Sequence, residues 1–450
     1  MRYRLPFIAA VLLAAVPFLS SAQSAAQTKP APDRPPNIVI IFADDLGYGD
    51  LGVYGHPLIR TPRLDTLAAE GLKLTSFYAS APVCSASRYS LLTGRYAIRA
   101  GINGALMPES TNGLGADETT IADILKRAGY RTGMVGKWHL GNRPGFFPTE
   151  HGFDSYYGLL YSNDMVRPWV QTDVPLRLFR GTQELPGDVD MASLTERYTE
   201  EAVAFIREHR SRPFFLYLAH SMPHVPLGVS PRFAGRSANG RYGDVVEMLD
   251  WSTGQVLDAL RDAGIERNTL VIFTSDNGPW MDMPPRMLVE PRIVRTDAGS
   301  AGPLRGSKGT TWEGGTRVPF LARWPGRIRA GAVSSDVATT MDILPTIAGI
   351  AGVQLPAERA VDGQDIRAFL EGRAPSPVEW YFYNYNGRVE GVRDRRWKLH
   401  LTFPEKSEPV AALFDLLADP SERWDVAAEH PDVVSRLRER LRQFTAGLVR

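Results

Sequence analysis

The stretch NIVIIFADD, residues 37–45, is a run of β-branched and aromatic residues that ends abruptly in two carboxylates, Asp44 and Asp45. From Ile38 to Ala43 no polar residue interrupts the run, so both faces of the segment are suited to burial. A strand buried on both faces is typical of a parallel sheet that is covered by helices on each side. The stretch therefore predicts an α/β fold.

Three further apolar runs end in polar residues in the same way. They cover residues 130–136, 213–219 and 269–274. Amphipathic helical patterns separate the runs, over residues 63–71, 120–128, 194–209 and 242–263. Strands that alternate with helices predict a largely parallel sheet. Because ligands bind outside the carboxyl ends of such strands, the four polar clusters are expected to meet at one site.

The pattern changes beyond about residue 350. Short strands joined by turns are predicted over residues 381–387, 390–393, 397–401 and 413–416, followed by an Arg-rich amphipathic helix at 433–448. We therefore predict a catalytic domain over residues 36–355 and a small C-terminal α+β subdomain with an antiparallel sheet over residues 356–450. The Pro- and Gly-containing stretch 352–363 is the candidate boundary.

The N-terminus has the form of an export signal over residues 1–22. Arg2 and Arg4 precede an apolar run that is too short for a typical membrane span, and Ala22 offers a cleavage site. Residues 23–35 are predicted to be a flexible leader. A membrane anchor is the less favoured alternative.

The composition bounds the class of protein. With 450 residues and 44% hydrophobic content, the chain has the composition of an ordinary globular protein. Its net charge of +1 gives no electrostatic reason to expect binding to nucleic acid or to an anionic membrane. A single cysteine and the absence of Asn-x-Ser/Thr sites favour an exported bacterial protein, periplasmic or secreted, over a eukaryotic one.

The single cysteine, Cys84, begins a segment with the pattern of a short helix that Gly94 ends. Cys84 and Arg88 lie four residues apart and so share one helix face. Cys84 would lie at the helix N-terminus, where backbone N–H groups favour anions. A lone Cys is either an inert core residue or a reactive group, and the Arg and the helix start favour the second.

Two of the polar clusters are rich in oxygen ligands. Asp44, Asp45, Asp276 and Asn277 supply four such side chains from two strand ends. Each pair alone is more often a turn or a helix cap. Two pairs at the carboxyl ends of parallel strands favour a hard divalent cation, which prefers several oxygen ligands.

The remaining candidates are cationic or imidazole side chains. Lys137 and His139 alternate along a segment predicted to be extended, so that both point to one face. His224 lies in a Pro-rich loop, and Lys308 is central to the Gly-rich stretch 304–320. That stretch lacks the glycine spacing of a P-loop, and by itself it is a generic anion loop. Taken singly, the Lys and His residues also fit solvated or structural roles.

Together these segments resemble the sulfatase family. The resemblance rests on the strand with Asp-Asp, Cys-x-Ala-Ser-Arg, Gly-Lys-Trp-His, the Pro-His loop, Ser-Asp-Asn-Gly and Arg-Gly-x-Lys-Gly, and covers nearly all of residues 37–320. Residues 413–422 resemble the family's C-terminal region. Residues 158–165 resemble the branch that contains arylsulfatase A and N-acetylgalactosamine-6-sulfatase. Ala86 replaces a commoner Pro, which is an accepted variant.

The resemblance implies an alkaline-phosphatase-like sandwich, with a large, mostly parallel central sheet flanked by helices. It also implies that a maturation enzyme converts Cys84 to formylglycine, the catalytic aldehyde. The implied cation is Ca²⁺, or Mg²⁺, and its implied ligands are Asp44, Asp45, Cys84, Asp276 and Asn277.

The resemblance further implies a sulfuric ester hydrolase that acts on an aryl or carbohydrate sulfate. The implied catalytic residues are Cys84, Arg88, Lys137, His139, His224 and Lys308. The implied substrate-binding residues are Lys137, Ser162, His224 and Lys308. In the implied mechanism the hydrated aldehyde attacks sulfur, and His224, alone or with Lys308, protonates the leaving alcohol. His139 takes the proton from the second hydroxyl of the hydrate, and collapse to the aldehyde expels sulfate.

Two alternatives remain open at this point. A phosphomonoester or phosphodiester hydrolase could use the same scaffold, since a fold does not fix the ester. A non-catalytic sulfated-glycan-binding protein would need Cys84 to stay unconverted, and the set of acid and base residues makes it the less favoured reading.

Overall fold

The strand predicted from NIVIIFADD forms the middle of a large sheet. A computed structural model describes residues 34–290, 292–357, 359, 361–404 and 408–448. Asn37–Ala43 is β1, and all of its residues are buried. Ile40 lies opposite Tyr217 in one parallel neighbour and Ile272 in the other. The unbroken apolar run is thus explained by burial on both faces.

The large sheet has 11 strands in the described part of the chain. They are β1 (Asn37–Ala43), β2 (Leu72–Tyr78), β3 (Arg131–Gly136), β4 (Ser155–Leu159), β5 (Leu178–Arg180), β6 (Gln183–Glu184), β7 (Phe214–Ala219), β8 (Thr269–Ser275), β9 (Arg317–Arg323), β10 (Ala332–Ser334) and β11 (Ala338–Thr339). Their order is β10-β2-β9-β8-β1-β7-β3-β4-β5-β6, and β11 pairs with β2. The five neighbours from β8 to β4 run parallel, whereas β9 is antiparallel to both β2 and β8. The predicted, mostly parallel sheet is confirmed.

Helices connect and cover these strands. They are α1 (Pro62–Ala69), α2 (Cys84–Thr93), α3 (Ile121–Arg127), α4 (Leu194–His209), α5 (Gly240–Asp262), α6 (Glu313–Thr316), α7 (Ile343–Ala351), α8 (Arg367–Leu370) and α9 (Pro431–Ala446). Short 3₁₀ turns lie at Gly52–Tyr54, Ala97–Ala100, Pro148–Glu150, Met191–Ser193, Glu266–Asn268, Pro285–Met287, Arg295–Asp297 and Thr340–Asp342. At the start of α3, the Thr120 hydroxyl accepts from the Asp123 N–H while the Asp123 carboxylate accepts from the Thr120 N–H. This capping box satisfies two backbone donors and fixes the helix start.

The C-terminal region contains the predicted antiparallel sheet. Its strands, in order, are β12 (Tyr381–Tyr385), β13 (Arg388–Arg393), β14 (Trp397–Thr402) and β15 (Val410–Asp415). Asn386 and Gly387 connect β12 and β13 with φ values of 46° and 75°, as a tight hairpin turn requires. On one face, the rings of Phe382 and Phe444 of α9 stack at 3.9 Å. The predicted domain boundary after residue 355 stays a prediction.

The N-terminal predictions fall largely outside the described residues. The export signal and most of the leader lie in residues 1–33, and they stay predictions. Residues Pro35–Arg450 form one compact unit. None of the helices that the structure describes combines the length and apolar character needed to cross a bilayer.

A buried ionic network joins the C-terminal sheet to α6. The Glu313 carboxylate accepts hydrogen bonds from the hydroxyls of Tyr78 and Tyr383, each at 2.5 Å. The Lys398 Nζ lies 3.3 Å from Glu313 and 2.6 Å from Glu422, and all three of these ion-pair side chains have no exposed surface. Breaking one member of such a network leaves a buried charge without its partner. The network therefore fastens the Gly-rich stretch 304–320 to the second sheet.

We expect the substitution Lys398→Met to lower the free energy of unfolding by about 3 kcal/mol or more, because it leaves two buried carboxylates facing each other. Urea denaturation measures this loss. Arg396→Met is the matched control, since Arg396 pairs with Asp415 at an exposed site, where an ion pair contributes little. Similar losses in both variants would contradict the importance of the buried network.

Candidate active site

The polar clusters at the ends of β1 and β8 are in direct contact. The Asp45 N–H donates to Asp276 Oδ1 at 3.0 Å, and Asn277 Nδ2 donates to Asp45 Oδ1 at 2.7 Å. Asp44 and Asp276 are fully buried, as is Asn277. Parallel pairing of β1 with β8 places the carboxyl ends of both strands at one sheet edge, so residues far apart in sequence meet there.

Cys84 lies within this cluster. It is the first residue of α2, which ends at Gly94 with φ 68°, and it is buried. The Lys308 Nζ lies 3.4 Å from the Cys84 Sγ and 2.8 Å from the nearer oxygen of Asp45. The Gly-rich stretch thus delivers its central cation to the cysteine.

Backbone contacts hold Lys308 in place. Its N–H donates to the Pro279 carbonyl, and the Gly309 N–H donates to the Pro82 carbonyl, both at 2.9 Å. The loop therefore spans the segment after β8 and the segment before α2. These bonds fix the Lys308 side chain relative to Cys84.

Arg88 is enclosed by acceptors. Its Nη2 lies 2.9 Å from Asp276 Oδ2 and 3.4 Å from Asp44 Oδ2, and its Nη1 donates to the Lys137 carbonyl at 2.8 Å. Burial lowers the pKa of Arg88, but Asp276 and Asp44 outweigh burial and raise it above its usual range. Arg88 is therefore a permanent buried cation that orients two of the carboxylates.

Lys137 follows β3 and reaches the same cluster. Its Nζ donates to Asp44 Oδ2 at 2.5 Å and to Ser162 Oγ at 3.0 Å, and its side chain has no exposed surface. The prediction that this segment is extended is wrong at His139, which adopts φ 60°. The regular strand ends at Gly136, and the backbone then turns while it bonds to residues 159 and 160.

The hydrogen bonds of His139 define its tautomer. Its Nε2 lies 2.9 Å from the Leu106 carbonyl, which only accepts, so Nε2 carries the proton. The buried Nδ1 makes no hydrogen bond within the described part of the chain. Burial first, then Lys137 and Arg88, hold the pKa of His139 well below its usual value. The neutral ring thus presents a free lone pair, as a base needs.

His224 approaches from the loop after β7. Its Nδ1 bonds to the Val225 carbonyl at 2.5 Å, so Nε2 faces the cluster, 3.6 Å from Asp45 and 4.0 Å from Asp164. Burial, followed by Lys308, lowers the pKa of His224 to about 3. Sequence reasoning gave Asp164 no role. The only sign of it in the sequence was its position within residues 158–165, which resemble one branch of the sulfatase family.

Burial and like charges perturb the acidic groups. Burial alone would raise the pKa of Asp44, but Lys137 and Arg88 hold it far below its usual range. Burial and then Asp44 raise the pKa of Asp276 to about 7. Burial raises the pKa of the Cys84 thiol to about 12, although Lys137 lowers it. An unmodified thiol here is therefore protonated at neutral pH.

The donor set fits a hard divalent cation. Ligand atoms of Asp44, Asp45, Cys84 and His224 all lie within 4.8 Å of one another. In addition, the buried Oδ1 atoms of Asp44 and Asn277 accept no hydrogen bond from the described residues. Carboxylate and amide oxygens are the ligands that Ca²⁺ and Mg²⁺ prefer. Asp276, another predicted ligand, is not among the four residues of this group, and its two oxygens accept from Asp45 and Arg88.

Trp280 is a residue of this site that sequence reasoning did not single out. Its ring lies 4.6 Å from the Lys308 Nζ and 5.5 Å from the His224 ring, and it is half-buried. The sign of it in the sequence was its position directly after the Ser-Asp-Asn-Gly-Pro segment, residues 275–279. It provides an apolar wall beside the two residues that face the leaving group in the implied mechanism.

Comparison with known proteins identifies the family. Residues 36–353 match the family model described as Sulfatase. The chain is a member of the sulfatase family. Residues 307–447 match the model described as N-sulphoglucosamine sulphohydrolase, C-terminal. This sulfatase is therefore a sulfuric ester hydrolase, and its candidate metal cluster lies at the site that the family motifs mark.

Individual relatives cover nearly the whole sulfatase. Human arylsulfatase A is 39% identical over 454 residues, which cover 90% of this chain and 87% of the relative. Rattus norvegicus N-acetylgalactosamine-6-sulfatase is 37% identical over 469 residues, which cover 92% and 86%. The crystal structure of Ps i-CgsB in complex with k-i-k-neocarrahexaose superposes with a TM-score of 0.79 at 29% identity and covers 91% of this chain and 93% of that one. The predicted alkaline-phosphatase-like architecture and the resemblance are confirmed.

Proposed function

We propose that this sulfatase hydrolyses a sulfate monoester of a sugar or aryl group, with Cys84 converted to formylglycine and Ca²⁺ or Mg²⁺ bound beside it. The observation that carries the proposal is the position of Cys84, 3.4 Å from Lys308 and within a cluster of buried oxygen donors. A thiol with its pKa raised to about 12 is a poor nucleophile at neutral pH. The surrounding acids, cations and His residues suit an oxygen nucleophile instead.

Asp44, Asp45 and Asn277 are proposed as the principal cation ligands, and Asp276 and the modified Cys84 complete the set. When present, the cation and the hydrated aldehyde supply a Lewis acid and a nucleophilic oxygen for attack at sulfur. The chain's own buried cations balance the carboxylates before substrate binds. The charge of a bound divalent cation would then leave the site net positive, which favours an anionic substrate.

Lys137, Lys308 and Ser162 are proposed to bind the sulfate oxygens. The Nζ atoms of both lysines already point into the carboxylate cluster, and the Ser162 hydroxyl touches Lys137. Donors fixed in a water-poor site stabilise charge that develops during the reaction. Arg88 has its guanidinium engaged by Asp276, Asp44 and a carbonyl, so we assign it the positioning of those carboxylates.

Two imidazoles are proposed to move protons. His139 presents the bare Nδ1 and accepts a proton as sulfate is released. The proton for the leaving oxygen comes from the Lys308 ammonium group, either directly or by way of the Nε2 of His224. Burial and then Lys308 keep the pKa of His224 low, so His224 holds that proton only transiently. Asp164, 4.0 Å away, stabilises the protonated ring.

We expect His224→Ala to lower kcat/KM for a sugar sulfate by about 10²- to 10³-fold, because an alkoxide leaves poorly without a proton. The loss on 4-nitrophenyl sulfate is expected to be much smaller, since nitrophenolate is stable as an anion. Steady-state kinetics on both esters checks this. His209→Ala, on α4 away from the cluster, is the control. Equal losses on both esters would contradict the acid role of His224.

Sulfated carbohydrates are the proposed physiological class. The relatives include an N-acetylgalactosamine-6-sulfatase, and Ps i-CgsB was solved in complex with k-i-k-neocarrahexaose. The test is a panel assay of protein co-produced with a formylglycine-generating enzyme, with 4-nitrophenyl sulfate, 4-nitrophenyl phosphate and sulfated sugars as substrates. Faster hydrolysis of the sulfate is expected. Preference for the phosphate would overturn the proposal in favour of a phosphoesterase on this scaffold.

A further inference from the structure

A cavity of about 310 Å³ lies beside the Lys308 loop, between that loop and the C-terminal sheet. The residues that line it include Gly309, Tyr385, Glu390, His400 and Phe403. None of these residues belongs to the sulfate-binding cluster described above. The cavity combines aromatic surfaces with charged groups, as sites for small polar ligands do.

Gly309 links the cavity to the reaction centre through the chain, because it lines the cavity and is the neighbour of Lys308. It directly follows Lys308, and its N–H donates to the Pro82 carbonyl, two residues before Cys84, at 2.9 Å. A Cβ at Gly309 would lie 3.5 Å from the Tyr385 hydroxyl, and its φ of 79° disfavours a side chain. The residue that directly follows Lys308 therefore lines the cavity, and it has no side chain.

Glu390 enters the cavity through a β-bulge. In the pairing of β12 with β13, Tyr383 lies opposite Gly391, whereas Asn384 lies opposite Val389. Glu390 is thus the extra residue of β13, without a partner in the register. A bulge of this kind redirects a side chain from the regular alternation of the strand. Here it brings the Glu390 carboxylate to the Lys308 loop.

Hydrogen bonds fix the polar side of the cavity in advance. The Thr311 hydroxyl donates to Glu390 Oε2 at 2.7 Å and lies 2.9 Å from His400 Nε2. A hydroxyl has one proton, so His400 must donate to Thr311. The His400 ring, 4% exposed, stacks on Trp312 with centroids 3.9 Å apart. The carboxylate is thereby held in one orientation.

The outer side carries a cation on an aromatic ring. The exposed Arg388 guanidinium lies over the Phe403 ring at 4.4 Å. Arg388 and Glu390 have opposite charges and together offer donors and acceptors to hydroxyl groups, while Tyr385 and Phe403 offer apolar surface. A second sulfate would meet the carboxylate of Glu390. The chemistry therefore matches an uncharged, hydroxyl-rich ring.

We propose that this cavity binds a sugar unit attached to the sulfated one, so that the preferred substrate is an oligosaccharide sulfate. The inference rests on the proposed function and extends it from the sulfate to the leaving group. Glu390 is the specificity-determining residue, Arg388 and Tyr385 complete the contacts to hydroxyls, and the Lys308 site itself is unchanged.

The test compares three substrates with the matured full-length enzyme. They are 4-nitrophenyl sulfate, N-acetylgalactosamine 6-sulfate, and a panel of carrageenan oligosaccharides in which an uncharged sugar unit adjoins the sulfated one. The variants are Glu390→Gln and Tyr385→Phe, and the control is Glu439→Gln, a glutamate of α9 that is half-buried like Glu390 but does not line the cavity. Glu390→Gln keeps the size of the side chain and removes the charge.

For the wild type we expect higher kcat/KM on an oligosaccharide than on the monosaccharide. Glu390→Gln is expected to lower kcat/KM on the oligosaccharide at least about tenfold, mostly by raising KM, because a hydrogen bond from a substrate hydroxyl to a charged carboxylate is lost. Its activity on 4-nitrophenyl sulfate and its thermal midpoint should match those of Glu439→Gln. Tyr385→Phe is expected to follow the same pattern with a smaller loss.

Two results would overturn the inference while leaving the proposed function intact. The first is wild-type activity on aryl or monosaccharide sulfate without any gain on oligosaccharides. The second is an equal loss of activity of Glu390→Gln on all substrates, which would show that Glu390 only supports the loop. Absence of wild-type activity on every sulfate would instead refute the proposed function itself.

Discussion

Replacing Cys84 with alanine is expected to lower kcat/KM on aryl and sugar sulfates by about 10⁵-fold, which is the scale of losing a catalytic nucleophile. Alanine is compatible with the helix start of α2 and removes only the Sγ atom of the side chain. The loss therefore reports on chemistry. Steady-state hydrolysis of 4-nitrophenyl sulfate by the matured enzyme measures it.

Ser90→Ala is the matched control on the same helix. Its hydroxyl donates to the Ala86 carbonyl within α2 and does not contact the carboxylate cluster. We expect this variant to retain activity within a few-fold of the wild type. A Cys84→Ala enzyme that keeps a tenth or more of the activity would rule out any nucleophile derived from this residue.

Asp45→Asn is expected to weaken Ca²⁺ binding at least about tenfold and to lower activity by about 10³-fold. The reason is that the substitution removes one negative charge from the buried carboxylates that would bind the cation. Asparagine retains the shape of the side chain and tolerates the φ of 65° at this position. Calcium titration of EDTA-treated enzyme by calorimetry measures the affinity. The thermal midpoint gives a second readout, since a ligand at about 100 times its Kd stabilises the folded state by about 2.7 kcal/mol.

The exposed Asp262→Asn substitution, at the end of α5, removes the same charge outside the site and serves as the control. Its calcium affinity and activity should equal those of the wild type. Unchanged calcium binding in Asp45→Asn would place the cation elsewhere or exclude it from this cluster.

Much of the fold could be predicted because its central elements are long and buried on both faces. The apolar part of NIVIIFADD formed β1, which ends at Ala43 directly before the two carboxylates, and the helix predicted over residues 194–209 formed over those residues. Strand β9, Arg317–Arg323, was not predicted and was quoted only as part of a Gly-rich stretch. It pairs antiparallel between β2 and β8, and this pairing depends on tertiary contacts that local sequence does not encode.

The candidate site was predictable where a side chain follows a buried strand. Asp44 and Asp276 meet because their strands are parallel neighbours, which the pattern of the runs indicated. Other features depend on backbone detail. The left-handed turn at His139, the bulge at Glu390 and the approach of Trp280 to Lys308 each follow from pairing or loop closure. A single sequence carries no periodic signal for such details.

The most direct test of the proposed mechanism is mass spectrometry of Cys84 in active enzyme purified from its native host. The tryptic peptide of residues 74–88 contains this residue and ends at Arg88. We expect an aldehyde in place of the thiol, which a hydrazide reagent labels, in proportion to the specific activity on 4-nitrophenyl sulfate. Full sulfatase activity in a preparation in which Cys84 is entirely a free thiol would contradict the mechanism.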